Sequence, residues 1–266
     1  MSRPDPAFCA IVLAGQRAGR VDALAEAHGA PNKSLIEIEG APLVRHVVDA
    51  LAATPGLSRL RIVVEPERIE AIRAVLRIPA EFVPAADNLA DSVYAAAEGV
   101  TEPMLVTTSD NVLLTPGAAR QTLQALSDGA DAAVALSTEA AVRAAHPDGQ
   151  RRFYRFADDA YSNCNLYALA SGAATRAAES FRSGGQFAKK PLRMIVHLGP
   201  INLTLLLLGR LTLRGALNRL GRRFRLRVEP VVLADGAHAI DVDNPRTYAC
   251  ATEILRRRHE PRRAAA

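Results

Sequence analysis

The chain contains no tryptophan, three cysteines and 5% aromatic residues among its 266 positions. Cys9, Cys164 and Cys250 are far apart in sequence, form no C-x-x-C pair and are odd in number. That pattern argues against a disulfide framework, and a reducing cytoplasm is the expected compartment. The six histidines never recur as H-x-x-x-H. Neither a helix-borne zinc site nor a zinc ribbon is therefore encoded, and any metal must be held by oxygen. The most apolar run, 201–208, spans eight residues, against about 20 for a bilayer crossing. The N-terminal MSRPDPAFCAIVLAG lacks the basic start and long apolar core of a secretory signal.

Acidic residues are missing altogether from 180–228, which carries eleven basic ones: Arg182, Lys189, Lys190, Arg193, Arg210, Arg214, Arg219, Arg222, Arg223, Arg225 and Arg227. The formal net charge is +5, so without this stretch the remainder stands at −6. Apolar and basic residues alternate at helical spacing here, which reads either as a solvated helical face or as a surface for an anionic membrane or a phosphorylated acceptor. No stacking aromatics are interleaved with the basic residues, which argues against nucleic acid.

What is present is the balance of a globular protein, 49% hydrophobic and 23% charged, and this excludes disorder, collagen and fibrous coiled coil. Length sets a prior of about one to two domains. We expect one domain over 1–258, with a basic amphipathic helical insertion at about 180–228 and a frayed tail at 259–266. Short apolar runs bounded by turn residues predict strands at 8–13, 60–65, 104–108, 132–136 and 165–169. Apolar stripes at helical spacing predict helices at 42–53, 69–76, 89–99, 118–126 and 246–258. Strand and helix alternate through the first half. The expected class is therefore α/β, with a mixed, mostly parallel sheet covered by helices on both faces and ligands bound beyond the carboxyl ends of its strands.

The residues that carry chemistry fall just after those strands. Leu13, Ala14, Gly15, Gln16, Arg17, Ala18, Gly19 and Arg20 follow the first one. Glycines let the backbone approach a ligand, and two arginines make the loop a plausible phosphate cradle. The pattern is neither G-x-x-x-x-G-K-[ST] nor G-x-G-x-x-G, which speaks against a P-loop NTPase or a dinucleotide-binding dehydrogenase. Lys33 precedes a short apolar stretch, a glycine turn at Gly40 and a helix start at Pro42. Asn88, Asp91 and Ser92 stand at another helix start, either as caps or as ligand contacts. Asp110 ends the strand 104–108 within T-T-S-D-N and precedes L-L-T-P, a position suited to a turn or to Mg²⁺ coordination. Asn163 and Asn165 offer amides, and Ile240, Asp241, Val242, Asp243, Asn244 and Pro245 place two carboxylates before a final helix.

L-A-G-x-R-x-G followed by K-S-L-I-x-I-x-G-x-P-L resembles the opening signature of the MobA-like nucleotidyltransferases, whose GT-A-like, three-layer Rossmann-like fold is thereby implied. The resemblance implies transfer of a nucleoside monophosphate from an NTP, CTP or GTP in particular, to a phosphorylated small-molecule or lipid-linked acceptor, with Mg²⁺ and release of pyrophosphate. It implies that Leu13, Ala14, Gly15, Gln16, Arg17 and Gly19, with Asn88, Asp91 and Ser92, bind the nucleotide. Arg20, Lys33 and Asp110 would be catalytic. Asp110 and Asp243 would hold the metal, with Asp241 as the other candidate ligand. Asn163, Asn165 and Asp241 would face the acceptor. The chain departs from the family pattern at Gln16, where a second glycine is usual, and in an apparent insertion at 21–31. Two further readings stand beside this one: a glycosyltransferase of the same fold using a nucleotide sugar, and a non-catalytic nucleotide-binding or membrane-docking module.

Overall fold

The computed structural model describes residues 6–16, 22–181 and 208–263. Strand β1 (Phe8–Leu13) pairs in parallel with β4 (Leu57–Val64) and β6 (Met104–Thr108), and β4 carries β5 (Glu81–Pro84), also in parallel. On the other flank β6 pairs antiparallel with β9 (Ala160–Leu169), β9 antiparallel with β7 (Ala132–Thr138), and β7 in parallel with β10 (Val228–Val232). The order is β10-β7-β9-β6-β1-β4-β5, with the short β8 (Tyr154–Arg155) on β9. This is the mixed, mostly parallel sheet expected. A separate ribbon joins β2 (Glu37–Ile38) to β3 (Ala41–Pro42) through Glu39 and Gly40, both at positive φ, as a two-residue hairpin turn requires.

Side chains alternate across the sheet, so each strand feeds two cores. Phe8, Ala10 and Val12 of β1 join one apolar cluster, in which helices α2 (Leu43–Ala52), α5 (Pro116–Ser127) and α8 (Pro245–Arg263) bury Val47, Leu51, Leu123 and Ile254. Cys9 and Ile11 face the other way, towards Val93 and Ala96 of α4 (Leu89–Ala97). Helices thus cover both faces. The stripe of α2, Leu43, Val44, Val47, Val48 and Leu51, is wholly buried. At about 1.5–3 kcal/mol per side chain this burial outweighs anything intrinsic propensity contributes. α5 begins with Thr115 accepting the Ala118 amide at 3.2 Å and Pro116 in its first turn, a combination that leaves fewer donors unsatisfied.

The shorter helices are α1 (Ala23–Ala27), α3 (Ile69–Arg73) and α6 (Glu139–Ala145), and α7 (Leu213–Phe224) is the described part of the basic segment. α1 occupies the insertion noted at 21–31 and is capped by Asp22. α7 buries Leu213, Ala216 and Gly221. Arg214 and Arg227 each pair with Glu229 at 3.2 Å, which neutralises part of the basic face. Arg182, Lys189, Lys190 and Arg193 lie outside the described residues. The last helix continues to Arg263, beyond the end expected at 258. The three cysteines are free and buried. Among the described residues no helix is long and apolar enough to cross a membrane.

Candidate active site

The loop leaving β1 is drawn tightly against its neighbours. Ala14 N donates to the Val63 carbonyl at 2.9 Å and Gln16 N to Glu65 Oε1 at 2.5 Å. A Cβ on Gly15 would lie 2.9 Å from Ala85 Cβ and 3.4 Å from Glu65 Oε1, so the absence of a side chain there is a requirement of close approach. The Ala14 carbonyl accepts from Asn32 Nδ2 at 3.5 Å and Ser34 Oγ at 3.2 Å, while Ser34 Oγ and Ser109 Oγ are 2.7 Å apart. Ser109 N in turn donates to the Leu13 carbonyl at 3.0 Å. The single 3-10 turn Lys33–Leu35 is thereby clamped between the chain leaving β1 and the chain leaving β6.

That clamp aims Lys33. Its Nζ donates to Asp110 Oδ2 at 2.5 Å and to Asp243 Oδ1 at 2.6 Å, bringing together residues 77 and 210 positions away. Asp110 and Lys33 are largely buried, with side chains 15% exposed, whereas Asp243 is 64% exposed. The Asp110 carbonyl accepts from Val242 N at 3.1 Å, which docks the 241–243 segment onto the end of β6. Asn244 then caps α8: its Oδ1 accepts from Thr247 N at 3.2 Å while Thr247 Oγ1 accepts from Asp243 N at 3.0 Å, a reciprocal cap.

Asp241 is buried behind this pair. Its Oδ2 accepts from Asn165 Nδ2 at 2.7 Å. Asn165 sits in the left-handed region at φ 46, where asparagine is tolerated better than most residues. Its own amide N–H donates to Asn163 Oδ1 at 3.1 Å, and Asn163 Nδ2 donates to Asn165 Oδ1 at 3.2 Å and to the Tyr167 hydroxyl. The four groups form one chain from Asp241 to Tyr167.

The charges divide unequally. Burial alone would raise the Asp110 carboxyl, but the Lys33 ammonium, by charge and hydrogen bond, outweighs it and holds Asp110 below the usual carboxylate range. Burial likewise opposes the Lys33 charge, and the two aspartates overcome it, raising the ammonium above its ordinary value. Asp241 has the opposite fate: burial first, then the negative charges of Asp110 and Asp243, push it well above the ordinary range. Oδ1 of Asp110 and Oδ1 of Asp241 are buried without a hydrogen-bond partner among the described residues. Such orphaned carboxylate oxygens, with two carboxylates converging on one nitrogen, fit a hard divalent cation, since Mg²⁺ is usually bound by one or two carboxylates plus substrate phosphates. Among the described residues no group of three or more His, Cys, Asp or Glu side chains gathers as a complete cage, so the rest of such a shell would come from phosphate or water.

Most of the residues expected at the site thus meet at one end of the sheet. Asn88 caps α4, accepting from Asp91 N at 3.0 Å and donating to Asp91 Oδ2 at 2.6 Å, and Ser92 Oγ accepts from Ala86 N at 3.0 Å. Those side chains therefore shape the start of α4. Arg17, Gly19 and Arg20 lie outside the described residues. Asn32, Ser34, Glu65, Ser109 and Asn111 were not anticipated. Asn111 Nδ2 bridges Thr107 Oγ1 and the Cys164 carbonyl at 3.1 and 3.0 Å, tying β6 to β9. The polar residues flanking Lys33 and Asp110 were the one signal that could have revealed most of them.

A family model, the MobA-like NTP transferase domain, matches residues 10–193. The chain belongs to the MobA-like NTP transferase family. The matched region ends before Asp241 and Asp243, so it covers Lys33 and Asp110 but not the second pair of carboxylates. A hypothetical transferase from Thermus thermophilus is 28% identical, with a TM-score of 0.76 over 91% of this chain and 99% of that one. A CMP:2-keto-3-deoxy-manno-octonic acid synthetase complexed with CTP superposes at a TM-score of 0.60 and 13% identity, over 95% of this chain and 99% of that one. A 4-diphosphocytidyl-2C-methyl-D-erythritol synthase from Anaerococcus prevotii superposes at 0.58 and 11% identity, over 95% and 97%. At such identities the last two speak for the fold of this MobA-like chain. Comparison with curated protein sequences finds no match.

Proposed function

We propose that this MobA-like protein transfers a nucleoside monophosphate from an NTP, CTP or GTP, to a phosphorylated acceptor and releases pyrophosphate. The observation that carries the reading is the convergence of Asp110 and Asp243 on Lys33 Nζ, at 2.5 and 2.6 Å, beside the glycine-bearing loop that leaves β1. Asp110 and Asp243 would hold Mg²⁺, with Asp241 behind them oriented by Asn165. When bound, the ion supplies charge neutralisation for the triphosphate. Lys33, whose Nζ bonds Asp110 Oδ2 and Asp243 Oδ1 and leaves Asp110 Oδ1 unpartnered, would with Arg20 offset the negative charge of the leaving pyrophosphate. The backbone at Ala14, Gly15 and Gln16 lines the nucleotide, Asn88, Asp91 and Ser92 border it from α4, and Asn163 and Asn165 face the acceptor.

An acceptor phosphate oxygen attacks the α-phosphorus in line. The new O–P bond forms as the bond from that phosphorus to the bridging oxygen breaks, and pyrophosphate leaves with the electron pair. The acceptor is already an anion, so no covalent nucleophile is needed, and catalysis is positioning and charge neutralisation. The glycosyltransferase reading has less support, because a D-x-D motif that includes Asp110 needs its other acid at position 108 or 112, where Thr108 and Val112 stand.

The test is incubation with each NTP, Mg²⁺ and a panel of phosphorylated acceptors, read as acceptor-dependent pyrophosphate release. Asp110→Asn, nearly isosteric, is expected to lower the rate by about a hundredfold or more, the usual loss for one preorganised charge, with cooperative unfolding retained. Turnover within a few fold of wild type would refute the assignment.

A further inference from the structure

Among the described residues, a cavity of about 230 Å³ opens on the sheet face covered by α4 and α7. Folded interiors are close-packed, and voids larger than a water molecule are few in any domain. This one has an almost wholly apolar wall. Leu213, Leu217, Leu220 and Phe224 of α7 point into it at helical spacing, a stripe of the kind that normally seeks a packing partner. Val106 and Val134 contribute from the sheet opposite.

Its polar edge is the feature that ties it to the reaction. Leu13, Asn163 and Tyr167 belong to the lining. Asn163 donates to the Tyr167 hydroxyl and to Asn165 Oδ1, and Asn165 donates to Asp241 Oδ2 at 2.7 Å. One end of a continuous hydrogen-bonded chain therefore touches the carboxylate site, while the other lies in the cavity wall. A molecule with its phosphate at the aspartates has a place for an apolar body.

We infer that the acceptor is a soluble phosphate monoester carrying an apolar chain or ring that fills this cavity, with Asn163 and Tyr167 at the junction between its polar and apolar parts. The inference rests on the nucleotidyltransferase reading and names the acceptor class within it. At about 30 Å³ for a water-sized unit, a cavity of about 230 Å³ encloses roughly eight carbons.

The test titrates straight-chain alkyl phosphates from ethyl to dodecyl into the full-length protein with Mg²⁺ and a non-hydrolysable NTP, following heat of binding. Affinity is expected to rise by about fourfold per methylene and to level off near eight carbons. Leu217→Trp, which fills the space, is expected to abolish the chain-length gain, and Leu217→Ala to move the plateau to longer chains. NTP affinity, unchanged in both, shows that each variant is folded. Equal binding of ethyl and octyl phosphate, or an undiminished gain in Leu217→Trp, overturns the inference. So does exclusion of every long chain. Pyrophosphate release with polar sugar phosphates and no length dependence would sink this inference alone. Octyl phosphate binding without pyrophosphate release from any NTP would instead sink the transferase reading and leave the apolar site standing.

Discussion

Replacing Lys33 by methionine keeps an unbranched side chain one atom shorter and removes its charge, leaving Asp110 with its burial and without its counter-ion. Asp243 is 64% exposed and contributes little to stability through this pair, because exposed ion pairs contribute about 0–1 kcal/mol. Asp110 is only 15% exposed, at 2.5 Å from Lys33 Nζ, and carries most of the effect. Removing one partner of a buried pair costs about 3 kcal/mol or more. At about 2–4 °C per kcal/mol for a chain of this size, the expected fall in Tm at pH 7 is about 6–12 °C.

The pH dependence distinguishes this cause from a packing defect. In the wild type Asp110 is held below its ordinary value of 3.8, so its contribution to stability is present above that pH and lost as pH falls through the folded value. Lys33 is raised above 10.5, so its contribution is present below that pH and lost as pH rises through the folded value. In Lys33→Met the Asp110 carboxyl is raised by burial, as Asp241 already is. A raised carboxyl stabilises the fold relative to neutral pH as pH falls. The deficit of the variant against wild type should therefore shrink as pH drops from 7 towards 4. Urea unfolding at several pH values measures it. Mg²⁺ should also restore part of the loss, about 2.7 kcal/mol at a concentration a hundredfold above its dissociation constant. A deficit constant between pH 4 and 8, or none, would refute the electrostatic account.

Gly15→Ala places a Cβ 2.9 Å from Ala85 Cβ; the loop after β1 should shift and weaken NTP binding by about tenfold, roughly 1.4 kcal/mol, with little change in Tm, and unchanged affinity would remove that loop from the nucleotide site. Asn165→Ala leaves Asp241 Oδ2 without its 2.7 Å donor and should cost about 1–3 kcal/mol, with KM for the acceptor rising more than KM for the NTP; an equal rise in both would argue against an acceptor role. Gly236→Ala drives a Cβ to 2.2 Å from the Ala141 backbone. Such overpacking costs about 1–3 kcal/mol, and because the turn Gly236–Ala239 leads into Asp241 and Asp243, turnover should fall with stability; retained activity would show that the turn does not position the aspartates.

Strands β1 and β6 were legible because each is a run of mostly apolar, buried residues bounded by polar or turn residues, and the observed bounds, Phe8–Leu13 and Met104–Thr108, are those the pattern predicts. β5 was not legible: Glu81–Pro84 is half-buried at an edge and shows no alternation. β10 was hidden by Pro230 and by the basic residues before it, although proline is admissible in an edge strand. The expectation for β9 began five residues late, because Asn163 and Asn165 interrupt its apolar pattern. Those asparagines are there for the site, so local consistency fails where chemistry is concentrated.

Lys33 and Asp110 could be singled out from their neighbours in sequence, but their contact could not, because it depends on strand order and direction. β1 and β6 run in parallel, so their carboxyl ends lie together, and Val242 N docks on the Asp110 carbonyl. β9 runs the other way, pairing Leu166 with Thr107 and Leu169 with Met104. Its early residues, Asn163 and Asn165, therefore reach the same edge that late residues reach from the parallel strands. Periodicity is blind to that reversal, since a strand alternates identically in either direction. Had β9 been parallel, the asparagines would lie at the opposite end of the sheet, Asp241 would lack its donor, and the apolar cavity would have no hydrogen-bonded connection to the carboxylates.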